Sequence, residues 1–378
     1  MTASTKYDPF ARGPFPVGVQ TQSWNDEVRG RTLTVEIWYP CTDDYRGLDV
    51  DPATMDWFEP GWATDGVSTP ERYAPQQAVR DADWRTMDQS APLVLLIHGW
   101  AGFRRESTFV GSHLASHGYV VVSPDVVGTT FAEVNAFLAQ QEPLGDPEDL
   151  LRHARDNAEV RVGDVSFLIA QSMSRLPVRD ERVGVTGASF GGYSSLVSPT
   201  ADPRVAAIAA MCPANDDSPI VKGSEVFNDL ILAPWLSDPA TMILAADRDS
   251  LLPLYGQLTL AAQLPASRRL VVSMANADHN HFVDDIELGQ AWMGEFVGRV
   301  AAIFPDAPGN WPLVAMSVQP MERLVPGEVA KRGWRGAILA HFDAWLRDED
   351  AALEAVRDMD ALMSSAGVET HTYAIGHD

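Results

Sequence analysis

The spacing of apolar and polar positions changes several times along the chain, and each change predicts an element. Residues 17–22 and 32–39 alternate apolar with polar, and Asn25-Asp26-Glu27 and Gly30 supply turn chemistry between them. This predicts an antiparallel hairpin. From Cys41 to Ser90 the alternation dissolves into Asp, Pro, Gly and scattered Trp, which predicts a long decorated connection with a short helix near Gln76 to Ala82. Leu93-Val94-Leu95-Leu96-Ile97 is then continuously apolar, as a strand covered on both faces must be. A helix over Ser107–His117 should stop at Gly118, and Tyr119 to Val122 is a second buried strand. A helix from about Pro147 to Arg175 leads to the strand Arg182–Thr186, and apolar runs recur at Val205–Ala210, Met242–Ala245 and Leu270–Met274.

Short apolar strands alternating with helices imply βαβ units and a parallel sheet. Right-handed crossovers favour a three-layer α/β sandwich, mostly parallel, with the hairpin at one edge. The amphipathic segment Phe131–Ala139 is expected to form a wall or partial lid, or to pack as an ordinary helix. Pro326 suits the first turn of a closing helix to Leu346, and an acidic helix over about Asp348–Met363 follows it. Without repeats or low-complexity tracts, residues 1–378 read as one domain, with 41–90 as its long connection and 326–378 as its C-terminal helices.

The motif in Gly187-Ala188-Ser189-Phe190-Gly191-Gly192 gives this layout chemistry. It lies between an apolar strand and an apolar helical stretch, the setting of the nucleophile elbow of an α/β-hydrolase. A serine hydroxyl needs a base, and in this fold the order along the chain is Ser, acid, His. Asp247 and Asp249 follow one later strand, and His279 and His281 follow the next, so both pairs fall at carboxyl ends of strands. Of the histidines, His279 is preferred. Two histidines two residues apart suggest a metal site, but no third ligand cluster accompanies them, so no metal is expected. The oxyanion of acyl transfer needs two donors, assigned to the backbone amides of Phe190 and of Trp100 in the loop His98–Arg104. An aromatic pocket is expected around these loops, with Phe103, Trp235 and Phe282 contacting substrate.

Composition narrows the partners. The net charge is −24 and the only lysines are Lys6, Lys222 and Lys331, so binding to nucleic acid or to anionic lipid is not expected. Cys41 and Cys212 form neither a disulfide framework nor a metal pattern. No Gly-x-Gly-x-x-Gly follows the first parallel strand, so no cofactor is expected. No run of about 18 apolar residues occurs. Residues 1–16 show no secretory signal, and a cytoplasmic location is the expectation.

Val35 to Pro40, His98-Gly99 through Arg104 and Leu114 to Tyr119 resemble bacterial hydrolases of the platelet-activating-factor acetylhydrolase-like and dienelactone-hydrolase-like groups. Ser189 to Gly192 and His279 to Phe282 extend the resemblance, which spans roughly residues 14–285, and Arg323–Glu328 resembles the approach to the last helix. It implies a metal-independent serine esterase acting on a small-molecule ester through an acyl-enzyme. Amide, thioester or lactone cleavage by the same triad is the alternative, and a non-catalytic binding protein on this fold is a more distant one. In related hydrolases the acid lies a few residues before a proline such as Pro253, which implies Asp249 rather than Asp247, as in cutinase-like enzymes. The animal acetylhydrolases place their acid after the strand that follows the nucleophile helix, where this chain has Met211-Cys212. Dienelactone hydrolases proper use a cysteine nucleophile, whereas this chain has Ser189.

Overall fold

The structure is a computed structural model, and it describes residues 7–61, 73–87 and 90–375. Parts of the long connection (62–72 and 88–89) and the last three residues of the C-terminal segment lie outside the described residues.

Strands β1 (Val17–Asp26) and β2 (Arg31–Pro40) form the hairpin, closed by a turn in which Gly30 has a φ of 63°. Within the connection, β3 (Asp56–Phe58) and β4 (Ala74–Gln76) make a two-stranded sheet, and β5 (Val79–Arg80) runs parallel to β1. The alternating units follow: β6 (Ala91–Ile97), α1 (Thr108–Ser116), β7 (Val120–Pro124), α2 (Phe131–Gln141), α3 (Pro147–Arg175), β8 (Val178–Ala188) and α4 (Phe190–Ala201). They continue through β9 (Val205–Met211), the single turn α5 (Asn228–Ile231), β10 (Ala240–Ala246), α6 (Leu254–Gln263) and β11 (Arg269–Met274). Helices α7 (Ile286–Ile303), α8 (Trp311–Ser317), α9 (Gly327–Leu346), α10 (Asp350–Arg357) and α11 (Met359–Ser365) precede a last strand, β12 (Thr370–Ala374).

Ten strands form one sheet in the order β12-β11-β10-β9-β8-β6-β7-β2-β1-β5. The six from β11 to β7 are parallel, and β2 and β12 flank them antiparallel. Residues Leu93 to Val122 in β6 and β7 are almost wholly buried because helices cover both faces, α1 packing with α9 and α3 with α4. This is the mostly parallel α/β-hydrolase sandwich with an N-terminal hairpin that the apolar runs predict.

Two segments depart from expectation. Gln76–Ala82 is not a helix: burial there alternates, with Gln76 and Ala78 inside, and Trp38 Nε1 donates to Gln76 Oε1 at 2.8 Å. That period of two suits the short strands β4 and β5. The acidic C-terminal stretch is two helices rather than one, because Asp358 leaves the helical conformation (φ −124°, ψ 60°) and its carboxylate accepts from Ala361 N to start the second. Helix α7 is capped by Asp285 through Leu288 N. The neighbouring Asp284 accepts from Thr108 N and Phe109 N at the start of α1. Val134 and Leu138 of α2 pack in a second buried cluster with Met293, Val297, Phe304 and Trp311 of the α7–α8 region, so α2 is held by ordinary core packing.

Candidate active site

Ser189 stands between β8 and α4 with φ 58° and ψ −115°, a conformation that costs a non-glycine residue about 1–3 kcal/mol. The strain persists because the surroundings fix it: Ser189 N donates to Met211 O at 2.9 Å, and Tyr193 N and Ala214 N both donate to Ser189 O. Gly187 and Gly191 are required by the close approach, since a Cβ on either would drive into the Ile97 carbonyl. The turn lifts the serine side chain into a cavity that His279 also lines.

His279 opens a single 3-10 turn after β11, and Asp249 lies in the loop after β10. Imidazole Nδ1 meets Asp249 Oδ2 at 3.0 Å and Oδ1 at 3.2 Å. The Asp249 side chain is fully buried, and its Oδ1 also accepts from the amides of Leu251 (2.9 Å) and Leu252 (2.7 Å), which hold the carboxylate in place. Burial works against an imidazolium here, but the adjacent Asp249 charge outweighs it and holds His279 well above the ordinary histidine range. The competing residues lie elsewhere. Asp247 is exposed, and His281 is buried with Nε2 on Val325 O at 3.0 Å and Nδ1 accepting from Asp278 N.

Two further residues, Asp278 and Cys212, lie against this pair. Asp278 is fully buried, and its Oδ1 accepts from Ser250 N, Ser250 Oγ and His279 N at 2.8, 2.6 and 2.7 Å. It ties the acid loop to the base loop, while Gln290 Nε2 holds its other oxygen at 2.7 Å. Its place directly before His279 was the available signal. Cys212 is buried and sits against the pair, with donor atoms of Cys212, Asp249 and His279 within 4.8 Å of one another. That spacing admits a metal ion, yet burial pushes the thiol pKa up and so disfavours the thiolate a metal needs, and Asp249 is already engaged by two amides and an imidazole.

On the opposite side, β6 runs into the loop His98–Glu106. His98 is buried and held neutral, its pKa pushed down to about 3 by burial and by nearby Arg161. Its Nε2 accepts from Val126 N at 2.8 Å, so Nδ1 carries the proton given to Gly99 O at 2.7 Å. Gly99 N donates to Glu106 Oε1 at 2.8 Å, and burial pushes the Glu106 carboxyl up to about 8. Ala101 takes a φ of 58°, turning the loop sharply after Trp100. Neither the Trp100 nor the Phe190 amide has a hydrogen-bond acceptor among the described residues. The Trp100 indole donates to His153 Nε2 at 3.1 Å and packs edge-on against Phe296.

The cavity holds about 510 Å³. Trp100, Phe103, Phe190, Phe227, Trp292 and Phe296 give it an aromatic lining, and Phe131 of α2 adds to the wall. Two expected lining residues are corrected. Phe282 is fully buried and stacks on Trp334 at 5.0 Å, and Trp235 turns back onto α5 through Ile231 O, so neither reaches the cavity. Trp292, Phe296 and Trp311 were missed because they belong to α7 and α8, which the sequence reading did not delimit.

The family model for dienelactone hydrolases matches residues 82–289, more than half of the chain, a span that includes Ser189, Asp249 and His279. The chain belongs to the dienelactone hydrolase family. As a member of it, this is an α/β-hydrolase that cleaves carboxylic esters or lactones. A ferulic acid esterase from Streptomyces cinnamoneus shares the fold at a TM-score of 0.57 and 21% identity, over 91% of this chain and 94% of that one. A provisionally named dienelactone hydrolase from Klebsiella pneumoniae subsp. pneumoniae is more distant, with a TM-score of 0.43 and 14% identity over 70% of this chain and 87% of that one. No curated protein sequence matches the chain. No helix among the described residues is long and apolar enough to cross a membrane.

Proposed function

We propose that this member of the family hydrolyses neutral, apolar carboxylic esters through an acyl-enzyme on Ser189. The observation that carries the reading is a strained elbow serine opening into the cavity lined by an imidazole that is itself bonded to a buried carboxylate. In the proposed cycle Ser189 Oγ attacks the ester carbonyl while His279 Nε2 takes its proton. Asp249 keeps the proton on Nδ1 and stabilises the imidazolium, and the Trp100 and Phe190 amides hold the oxyanion. Collapse breaks the bond to the alkoxy oxygen, which leaves with the proton from His279. Water, activated by the same imidazole, then attacks the acyl carbonyl, and Ser189 regains its proton as the acid departs.

The cavity's charge supports a neutral acyl group. Its acidic groups are Glu106, Asp284, Asp285 and Glu295, and its arginine, Arg105, already pairs with buried Glu36 at 3.1 Å. Among the described residues a carboxylate on the substrate would meet no free cation there and would lose its hydration. The aromatic walls suit an aryl or branched apolar acyl group. The check is a panel of p-nitrophenyl esters matched in size. Neutral benzoyl-type esters should exceed hemisuccinate-type esters at least tenfold in kcat/KM, and Ser189→Ala should hydrolyse neither. Faster turnover of the anionic series would refute the substrate class, and wild-type turnover by Ser189→Ala would refute the mechanism.

A further inference from the structure

Arg161 projects from α3 into the space behind the oxyanion loop and is 1% exposed. Nη1 donates to His98 O at 2.9 Å and to Ser194 Oγ at 3.1 Å, and Nη2 donates to Gly99 O at 3.3 Å and to Thr129 Oγ1 at 2.6 Å. The guanidinium lies over the Phe190 ring, 4.2 Å from its centroid, and Nε is buried with no partner. Among the described residues no carboxylate forms an ion pair with it. Burying an unpaired guanidinium costs several kcal/mol, so core packing alone is a poor account of this side chain. Burial pulls its pKa down to about 10, which still leaves a cation at neutral pH.

The contacts coincide with the two amides assigned to the oxyanion. Gly99 O and Trp100 N–H belong to one peptide plane, and in a trans peptide they point in opposite directions. A cation gripping the carbonyl therefore aims the N–H away from itself and withdraws electron density from it, strengthening the donor. The ring beneath the guanidinium belongs to Phe190, whose amide is the second donor. We propose that Arg161 is the positioning residue of the oxyanion hole, orienting the Gly99–Trp100 peptide and Phe190 so that both amides converge on the same oxygen. The inference rests on the Ser189 mechanism proposed above and adds to it a side chain that never touches substrate.

The test uses the full chain with Arg161→Met and Arg161→Lys, comparing kcat and KM for a p-nitrophenyl ester and its thionoester. Oxygen-specific stabilisation is lost when the donors are misaligned, so kcat for Arg161→Met should fall about 100-fold, the loss typical of one oxyanion donor. KM should stay within about threefold and the ester-over-thionoester preference should shrink, with Arg161→Lys intermediate. Thr129→Val and Ser194→Ala loosen the guanidinium without removing it, and a drop in kcat of about three- to tenfold at constant KM is expected from each. Those two variants decide the matter if the Arg161 variants do not fold. Wild-type kcat and thionoester preference in the folded variants would overturn the positioning role. Fluorophosphonate labelling of the wild type separates the two levels: no adduct on Ser189 overturns both readings, whereas an adduct beside indifferent variants overturns only the role of Arg161.

Discussion

The two walls of the candidate site are backed by buried charge of opposite sign. Behind His279 stand Asp249 and Asp278, both held by several donors. Behind the Trp100 and Phe190 amides stands Arg161, and the carboxyl on that side, Glu106, is pushed up to about 8 and is therefore largely neutral at pH 7. In acyl transfer the histidine becomes positive as the carbonyl oxygen becomes negative. Each wall thus carries the sign that opposes the charge developing in front of it, fixed before the reaction begins. Burial neutralises Glu106 on one wall, while on the other Asp249 is held by two amides and the imidazole.

The largest expected effect removes what both walls act upon. Ser189→Ala should lower kcat/KM by at least about 10⁴-fold, as loss of a triad nucleophile does. Ser189→Gly should be as inactive yet more stable by about 1 kcal/mol, because glycine accepts the φ of 58°; thermal melting would show it. Breaking the anionic wall with Asp249→Asn should cost about 10³–10⁴-fold in kcat. The imidazole must be neutral to act as base, and the Asp249 charge raises its pKa, so activity should fall as pH drops through a value above the ordinary histidine range. Asp249→Asn should move that limb to lower pH, as a pH profile of kcat/KM would reveal.

Asp278→Ala leaves buried donors on Ser250, His279 and Gln290 unpaired, and a stability loss of about 2–4 kcal/mol in denaturant melts is expected. On the other wall, Glu106→Gln sharpens the contrast. As pH rises through about 8, ionisation of Glu106 puts a negative charge beside the oxyanion loop, near Asp284 and against Arg161 and His279, so kcat should decline. Glutamine should remove that decline while changing kcat at pH 7 by less than about threefold. The smallest effect is expected from Asp247→Asn, within about twofold in kcat, because that carboxylate is exposed and among the described residues accepts only from Ala277 N at 3.3 Å.

The sheet and the tight turn at Ser189 were legible because each depends on local pattern. The continuous apolar run Leu93–Ile97 has the pattern expected of a covered strand, and glycines around a serine after such a strand mark a tight turn. Chain order and strand ends narrow the acid and base to Asp247 or Asp249 and His279 or His281, and the resemblance, with its acid a few residues before Pro253, points to Asp249. What escaped notice depends on contacts far apart in sequence. Arg161 lies 62 residues from Gly99, and nothing in a helical stretch rich in Arg and Asp marks one arginine as buried. Phe282 closely follows β11 and Trp235 shortly precedes β10, but nearness in sequence does not set the direction of a side chain. The edge strand Thr370–Ala374 is short and half exposed, so it carries little apolar signal of its own.

The most direct measurement is peptide mapping by mass spectrometry after treating the intact protein with a fluorophosphonate at neutral pH. A single adduct on Ser189, formed rapidly in wild type and at least 100-fold more slowly in His279→Ala, is the predicted result. An adduct on Cys212 or on another serine, or labelling of Ser189 that ignores the loss of His279, would contradict the account.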